Sequence, residues 1–153
     1  WLLEHRINIM KYFAKINENN SVLNIDVLND AVAPDEATGI TFLKTFYKEP
    51  NATWKSCNKG QEATPGTVAN VGGVWDEVNE GFWPSQPYSS WTKNNSTWQW
   101  EAPITYPTIT EFYSIFWDED NVLWKANKFN TEPDDPIIIY TWNSTTLAWE
   151  DLN

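Results

Sequence analysis

The chain is poor in the residues on which much catalysis and metal binding depend. It has one Cys and one His, so neither a disulfide frame nor a Cys/His zinc cage can be assembled. Basic residues are also scarce: 10 Lys plus Arg stand against 21 Asp plus Glu, a net charge of −11. Nucleic acid and anionic membrane are bound by neutralising phosphate with Lys and Arg, so this balance argues against both as partners. The longest aliphatic run is Ile137-Ile138-Ile139, far short of the ~20 residues of a membrane-crossing helix. Glycine stops at Gly81, which leaves later turns to Asn, Asp, Ser, Thr and Pro. Gly72-Gly73 has no Lys-Ser/Thr after it, and no phosphate-binding loop is present.

Aromatic residues are what the chain has in excess. At 41% hydrophobic and 16% aromatic, with 11 Trp, it is too apolar to be disordered. Its 153 residues suit one domain, or a small one with an appendage, able to bury roughly 68–70% of the unfolded surface.

Charge and Trp divide the chain near residue 74. Residues 1–74 hold 8 acids, 7 bases and 2 Trp, whereas residues 75–153 hold 13 acids, 3 bases and 9 Trp. Residues 1–9, WLLEHRINI, lack the apolar stretch and cleavage site of a secretory signal and read as a leader or upstream segment before Met10. Met10–Ile16 alternates with Met10, Tyr12, Ala14 and Ile16 on one side, and Val22–Leu28 alternates with Leu23, Ile25 and Val27 inward. With turn chemistry at Asn17–Asn20, this predicts a hairpin. Pro34-Asp35 offers a helix start, Ile40, Leu43, Phe46 and Tyr47 recur at helical spacing, and Pro50 ends it. Gly39 weakens the first turn of that helix by about 1 kcal/mol relative to Ala. Thr53–Cys57 reads as a third strand and 58–66 as a surface loop.

After residue 74 the spacing of Trp is the strongest pattern. Trp75 and Trp83 are eight apart; Trp91/Trp98, Trp117/Trp124 and Trp142/Trp149 are each seven apart. Polar turn sequence lies between the members of each pair. This predicts four short hairpins clamped by cross-strand Trp pairs worth roughly 0.2–1 kcal/mol each. Asn94-Asn95 is expected as a two-residue turn, and Gly81 as a left-handed position in a bulged one. Pro-punctuated links, WPSQPYSSW, EAPITYPT and EPDDP, run between the hairpins.

Several chemistries compete with plain structural roles. Exposed Trp and carboxylates suit a sugar-binding face, yet thin hairpins also use paired Trp to hold their strands together. Glu111, Asp118, Glu119 and Asp120 offer carboxylates for a glycosidase, whose mechanism depends on a separation that sequence does not show. Asp118-Glu119-Asp120-Asn121 resembles a calcium loop but lacks Gly at the sixth position and Glu at the twelfth, where Phe129 stands. A solvated turn fits it better, and the Glu132–Pro136 run reads as a stiff link. His5 falls in the leader, so Cys57 has no His partner from Met10 onward and reads as a buried, inert thiol. Asn-X-Ser/Thr triplets at Asn19, Asn51, Asn94, Asn95 and Asn143 matter only in a eukaryotic secretory route.

From Met10 the chain resembles a family of small proteins of tailed marine phages, including those of cyanobacteria. The resemblance is carried by MKYFAKINENNSVLNIDVLND (10–30), EATGITFLKTFY (36–47) and TWK (53–55). The block GVWDEVNEGFWPSQPYSSWTKNNSTWQWEAPITYPT (73–108) is its most specific part; IFWDED (115–120) and IYTWNSTTLAWED (139–151) follow. Loop 58–72 departs from the family pattern, as does Phe82-Trp83. The resemblance implies a non-enzymatic, virion-associated protein and brings no catalytic residues. Separately, VLWKANKFNTEPDDP (122–136) resembles small chitin-binding modules.

The expectation is therefore a β-rich α+β fold in three parts. These are a leader (1–9), a β-β-α-β unit with its loop (10–74) and an acidic Trp-rich hairpin region (75–153). The expected function is a phage structural or adhesion module of the virion. It would work by contact with other virion proteins or with itself, without cofactor or metal, in the virion or in host cytoplasm during assembly. A carbohydrate-binding module is the alternative, and a carboxylate-based glycosidase a distant third. The candidate ligand or partner face is Trp75, Trp83, Trp91, Trp98, Trp117, Trp124, Trp142 and Trp149.

Overall fold

A computed structural model of the chain describes residues 9–59, 63–111, 113–128 and 137–151. The leader up to residue 8, Phe129 and the 132–136 link lie outside the described residues. Alternation in the opening segment produces the expected hairpin: β1 (Met10–Ile16) and β2 (Val22–Asn29) pair antiparallel, from Met10 opposite Asn29 to Ile16 opposite Val22. The side-chain oxygen of Asn17 makes the turn by accepting from the amides of Asn19 and Ser21 at 3.0 and 2.8 Å, and Asn20 takes a left-handed φ of 61°.

Helix α1 (Glu36–Phe46) starts on Asp35, whose carboxylate accepts from the Thr38 amide at 2.7 Å. That bond satisfies an orphan donor of the first turn and holds Asp35 below its ordinary pKa. Strand β3 (Thr53–Cys57) then pairs with the free side of β1, giving a sheet of order β2-β1-β3. The predicted β-β-α-β start is thus present.

Burial does not follow the simple alternation expected of a half-buried hairpin. Adjacent residues Phe13 and Ala14 of the central strand are both fully buried, because the sheet is covered on both faces. On one face Phe13 and Trp54 pack with Ala33 and with Leu43 of α1. On the other, Ala14, Ile16, Val22 and Cys57 pack with Ala69 and Phe82. Leu23 and Val27, expected inward, are 50% and 46% exposed, since β2 is the sheet's edge and the cover does not extend over them. Phe46 is likewise 66% exposed and stacks along the helix on Phe42 rather than entering the core.

Gly39 is where the sequence reading most underrates a residue. It is buried, and a Cβ there would run into the Phe13 ring and the Ala33 side chain. Gly39→Ala should therefore lower stability by about 1–3 kcal/mol through overpacking, despite the ~1 kcal/mol helix-propensity gain. Urea denaturation checks this, and a more stable variant would contradict the close packing.

Beyond the loop the described residues form four hairpins: β4 (Val74–Asp76) with β5 (Gly81–Trp83), β6 (Thr92–Asn94) with β7 (Gln99–Glu101), β8 (Tyr113–Asp118) with β9 (Leu123–Lys128), and β10 (Ile139–Asn143) with β11 (Ala148–Asp151). The last two are not separate, as the sequence suggested. β9 pairs with β10, from Ile139 opposite Asn127 to Thr141 opposite Lys125, so they join in one sheet of order β11-β10-β9-β8. Merging satisfies two strand edges and gives the multi-strand sheet that an isolated hairpin needs for stability.

The chain divides into two compact units, residues 1–86 with 94–99, and residues 87–93 with 100–153. The first holds the three-stranded sheet, α1 and the β4–β5 hairpin; the second holds the four-stranded sheet. The compositional break at residue 74 falls inside the first unit, because Phe82 of β5 completes that unit's core.

Candidate functional site

The hairpin turns share one chemistry. Asp76, Asn94 and Asn143 each accept two backbone amides two and three residues on, and Asp118 accepts the amide of Asn121 at 3.2 Å. Four residues after each, the backbone turns left-handed: Glu80 at φ 52°, Trp98 at 56°, Val122 at 54° and Leu147 at 53°. Asp76 lies opposite Gly81, Asp118 opposite Leu123 and Asn143 opposite Ala148, so the loops hold four residues. The two-residue turn expected at Asn94-Asn95 is not formed, and Glu80 rather than Gly81 supplies the left-handed position. Gly81 is needed for another reason. The Trp98 ring lies where its Cβ would be.

The place of the Asp or Asn, not the Trp spacing alone, decides which rings meet. Directly after Trp117 and Trp142 it sets Trp117 opposite Trp124 and Trp142 opposite Trp149, with ring centroids 5.0 and 5.2 Å apart. After Trp75 it sets Trp75 opposite Phe82, so the expected Trp75/Trp83 pair is displaced by one residue. In the second hairpin Asn94 comes three residues after Trp91, which puts Trp98 in the loop. Trp98 then packs on Trp83 at 4.8 Å, whereas Trp91 packs edge-on against Trp117 and Trp124 at 6.0 and 5.9 Å. The Trp91/Trp98 clamp is absent.

The eight candidate Trp therefore do not form one open face. Trp83, Trp117, Trp124 and Trp142 are buried, at 1–7% exposure, and Trp75, Trp91, Trp98 and Trp149 are half-buried. Five of their N–H groups donate within the structure: Trp75 to Glu77, Trp83 to Asp76 at 3.1 Å, Trp117 to Glu119 at 2.8 Å, Trp124 to the Ile104 carbonyl at 2.9 Å and Trp149 to the Ile109 carbonyl at 2.7 Å.

Carboxylates are similarly committed. Glu119 accepts from the Ser89 hydroxyl at 2.6 Å, from the Ser90 amide and hydroxyl at 2.8 and 2.7 Å, and from Trp117. Those donors, the serine hydroxyls first, hold its pKa at about 2. Asp118 is held at about 2 by Lys125, with Asn121 next, and Asp76 at about 2 chiefly by Asn79. Glu111 and Asp120 are exposed. Burial pushes the Cys57 thiol up to about 11, which leaves it a poor nucleophile. Among the described residues no group of three His, Cys, Asp or Glu is placed to hold a metal ion, and no helix is long and apolar enough to cross a membrane.

One aromatic feature was missed at the sequence level. In the second unit a cleft of about 410 Å³ is lined by Trp91, Trp100, Glu101, Ile104, Tyr106 and Trp124, among others. Trp100 belongs to no seven- or eight-residue Trp pair, yet it stands six residues after Asn94, as Phe82, Trp124 and Trp149 stand six after Asp76, Asp118 and Asn143. Counting from the turn residue instead of from Trp would have found it. Its neighbour at the matching position is Lys93, whose ammonium lies 5.6 Å from the Trp100 ring centroid. Among known proteins, no family model, no curated protein and no solved structure matches this chain.

Proposed function

We propose that the protein is a non-enzymatic, virion-associated structural or adhesion module of a tailed phage, working by contact with other virion proteins or with copies of itself. The single observation that carries the non-catalytic part is the state of the carboxylates. Every described carboxyl group with a shifted pKa is lowered by hydrogen bonds, as at Asp76, Asp118 and Glu119, whose bonds lie in or beside hairpin turns. A glycosidase needs the opposite, one carboxyl raised so that it can donate a proton. The resemblance of residues 10–151 to small marine phage proteins supports the virion assignment.

The test is mass spectrometry of purified virions from a phage carrying this gene. Peptides of the chain should persist through gradient purification in amounts comparable to known tail proteins. Their loss on purification would overturn the reading. A second reading, carbohydrate binding, is favoured by the cleft around Trp100 and Tyr106, where an open aromatic surface lies beside a carboxylate.

A further inference from the structure

We propose that the cleft bounded by Trp91, Trp100, Glu101, Tyr106 and Trp124 is a binding site for an uncharged pyranose saccharide. This gives the carbohydrate reading a location and rests on it, but it does not depend on where in a virion the protein sits. The volume, about 410 Å³, lies within the ~300–1,000 Å³ typical of ligand sites. Its aromatic walls are held in place before any ligand arrives. Trp91 and Trp124 are locked edge-on to each other and to Trp117, and the Trp124 N–H is tied to the Ile104 carbonyl. Tyr106 meets Trp124 edge-on at 4.9 Å while remaining 52% exposed, so its ring is positioned yet open. Such preorganisation lowers the entropic cost of binding.

The chemistry of the lining points to sugar rather than to an aliphatic ligand. Pyranose rings present an apolar C–H face that stacks on aromatic rings and a rim of hydroxyl donors. Here the open ring is that of Tyr106, with Trp100 beside it in the lining, and the exposed Thr105 hydroxyl and Glu101 carboxylate supply acceptor oxygens. Charge narrows the class further. The second unit carries ten acids against three lysines, which repels anionic sugars. Lys93 already lies over the Trp100 ring and disfavours a cationic ligand there.

The experiment is calorimetric and NMR titration of the full chain with cellohexaose, maltohexaose, N-acetylchitohexaose and, as the anionic control, hexagalacturonate. At least one uncharged hexasaccharide should bind with Kd of about 1 mM or tighter. The Trp100 indole N–H signal should shift, and Tyr106→Ala should weaken binding about tenfold, equal to about 1.4 kcal/mol. Tyr106 is chosen because it is the more exposed wall; Trp100→Ala serves as a second variant if its spectrum shows a folded chain. No binding of any uncharged hexasaccharide up to about 10 mM would overturn the cleft and the carbohydrate reading together. Binding that leaves the Trp100 signal and the Tyr106→Ala affinity unchanged would overturn the cleft alone. Equal affinity for hexagalacturonate would overturn the assignment to uncharged sugar.

Discussion

Replacing Trp117 with Ala is expected to unfold the second unit and leave the first folded. Trp117 is 5% exposed, lies opposite Trp124, meets Trp91 and Tyr88, and donates to Glu119. Truncating a buried Trp to Ala costs about 3–5 kcal/mol. The second unit is small, and small units bury a smaller fraction of their surface and have little stability to spare. Its core is Trp117, Trp124 and Trp142 with half-buried neighbours, all from the second unit, whereas the first unit's clusters are drawn from its own residues. Amide exchange should show protection lost in β8–β11 and kept in β1–β3. Simultaneous loss in both would show that the two cores are thermodynamically one.

Acid should weaken the second unit between about pH 4.5 and 2. Glu119 and Asp118 are held at about 2, against ordinary values of 4.5 and 3.8. Their depressed values mean that the unfolded chain binds protons more readily than the folded one. Their contribution is therefore complete above the ordinary values and is lost as pH falls through those values towards 2. Glu119 matters most, because its oxygens gather Ser89, Ser90 and Trp117 and so tie the 89–90 segment to β8. Glu119→Gln places an amide NH₂ among those donors. The variant should show a lower urea midpoint at pH 7 and a flatter dependence on pH between about 4.5 and 2, read by Trp fluorescence. An acid profile identical to that of the parent chain would remove Glu119 as its source.

Much of the architecture was legible because it rests on local chemistry. Alternation placed β1 and β2, Pro34-Asp35 marked the start of α1, and polar residues between Trp residues marked the hairpins. Even the shared turn is written locally, in an Asp or Asn whose side chain accepts the amides just beyond it. The Trp count misled where it was taken without that residue: at Asn94 the turn begins three residues after Trp91, and the register shifts with it. A shift of one residue in a hairpin sends a ring to the other face.

What only the tertiary structure decided is which surfaces are covered. Nothing in Met10–Ile16 distinguishes a sheet covered on one face from one covered on both, because the second cover comes from Ala69 and Phe82, more than fifty residues away in the chain. Nor does helical spacing show that Gly39 is present to admit the Phe13 ring, or that Gly81 makes room for Trp98. The pairing of β9 with β10 and the cleft beside Trp100 depend on contacts that no run of neighbouring residues shows. Turn hydrogen bonds, caps and strand alternation act within a few residues and can be read from neighbours in the chain. Burial and ring packing act between residues that become neighbours only when the backbone closes, and the chain itself carries no local mark of them.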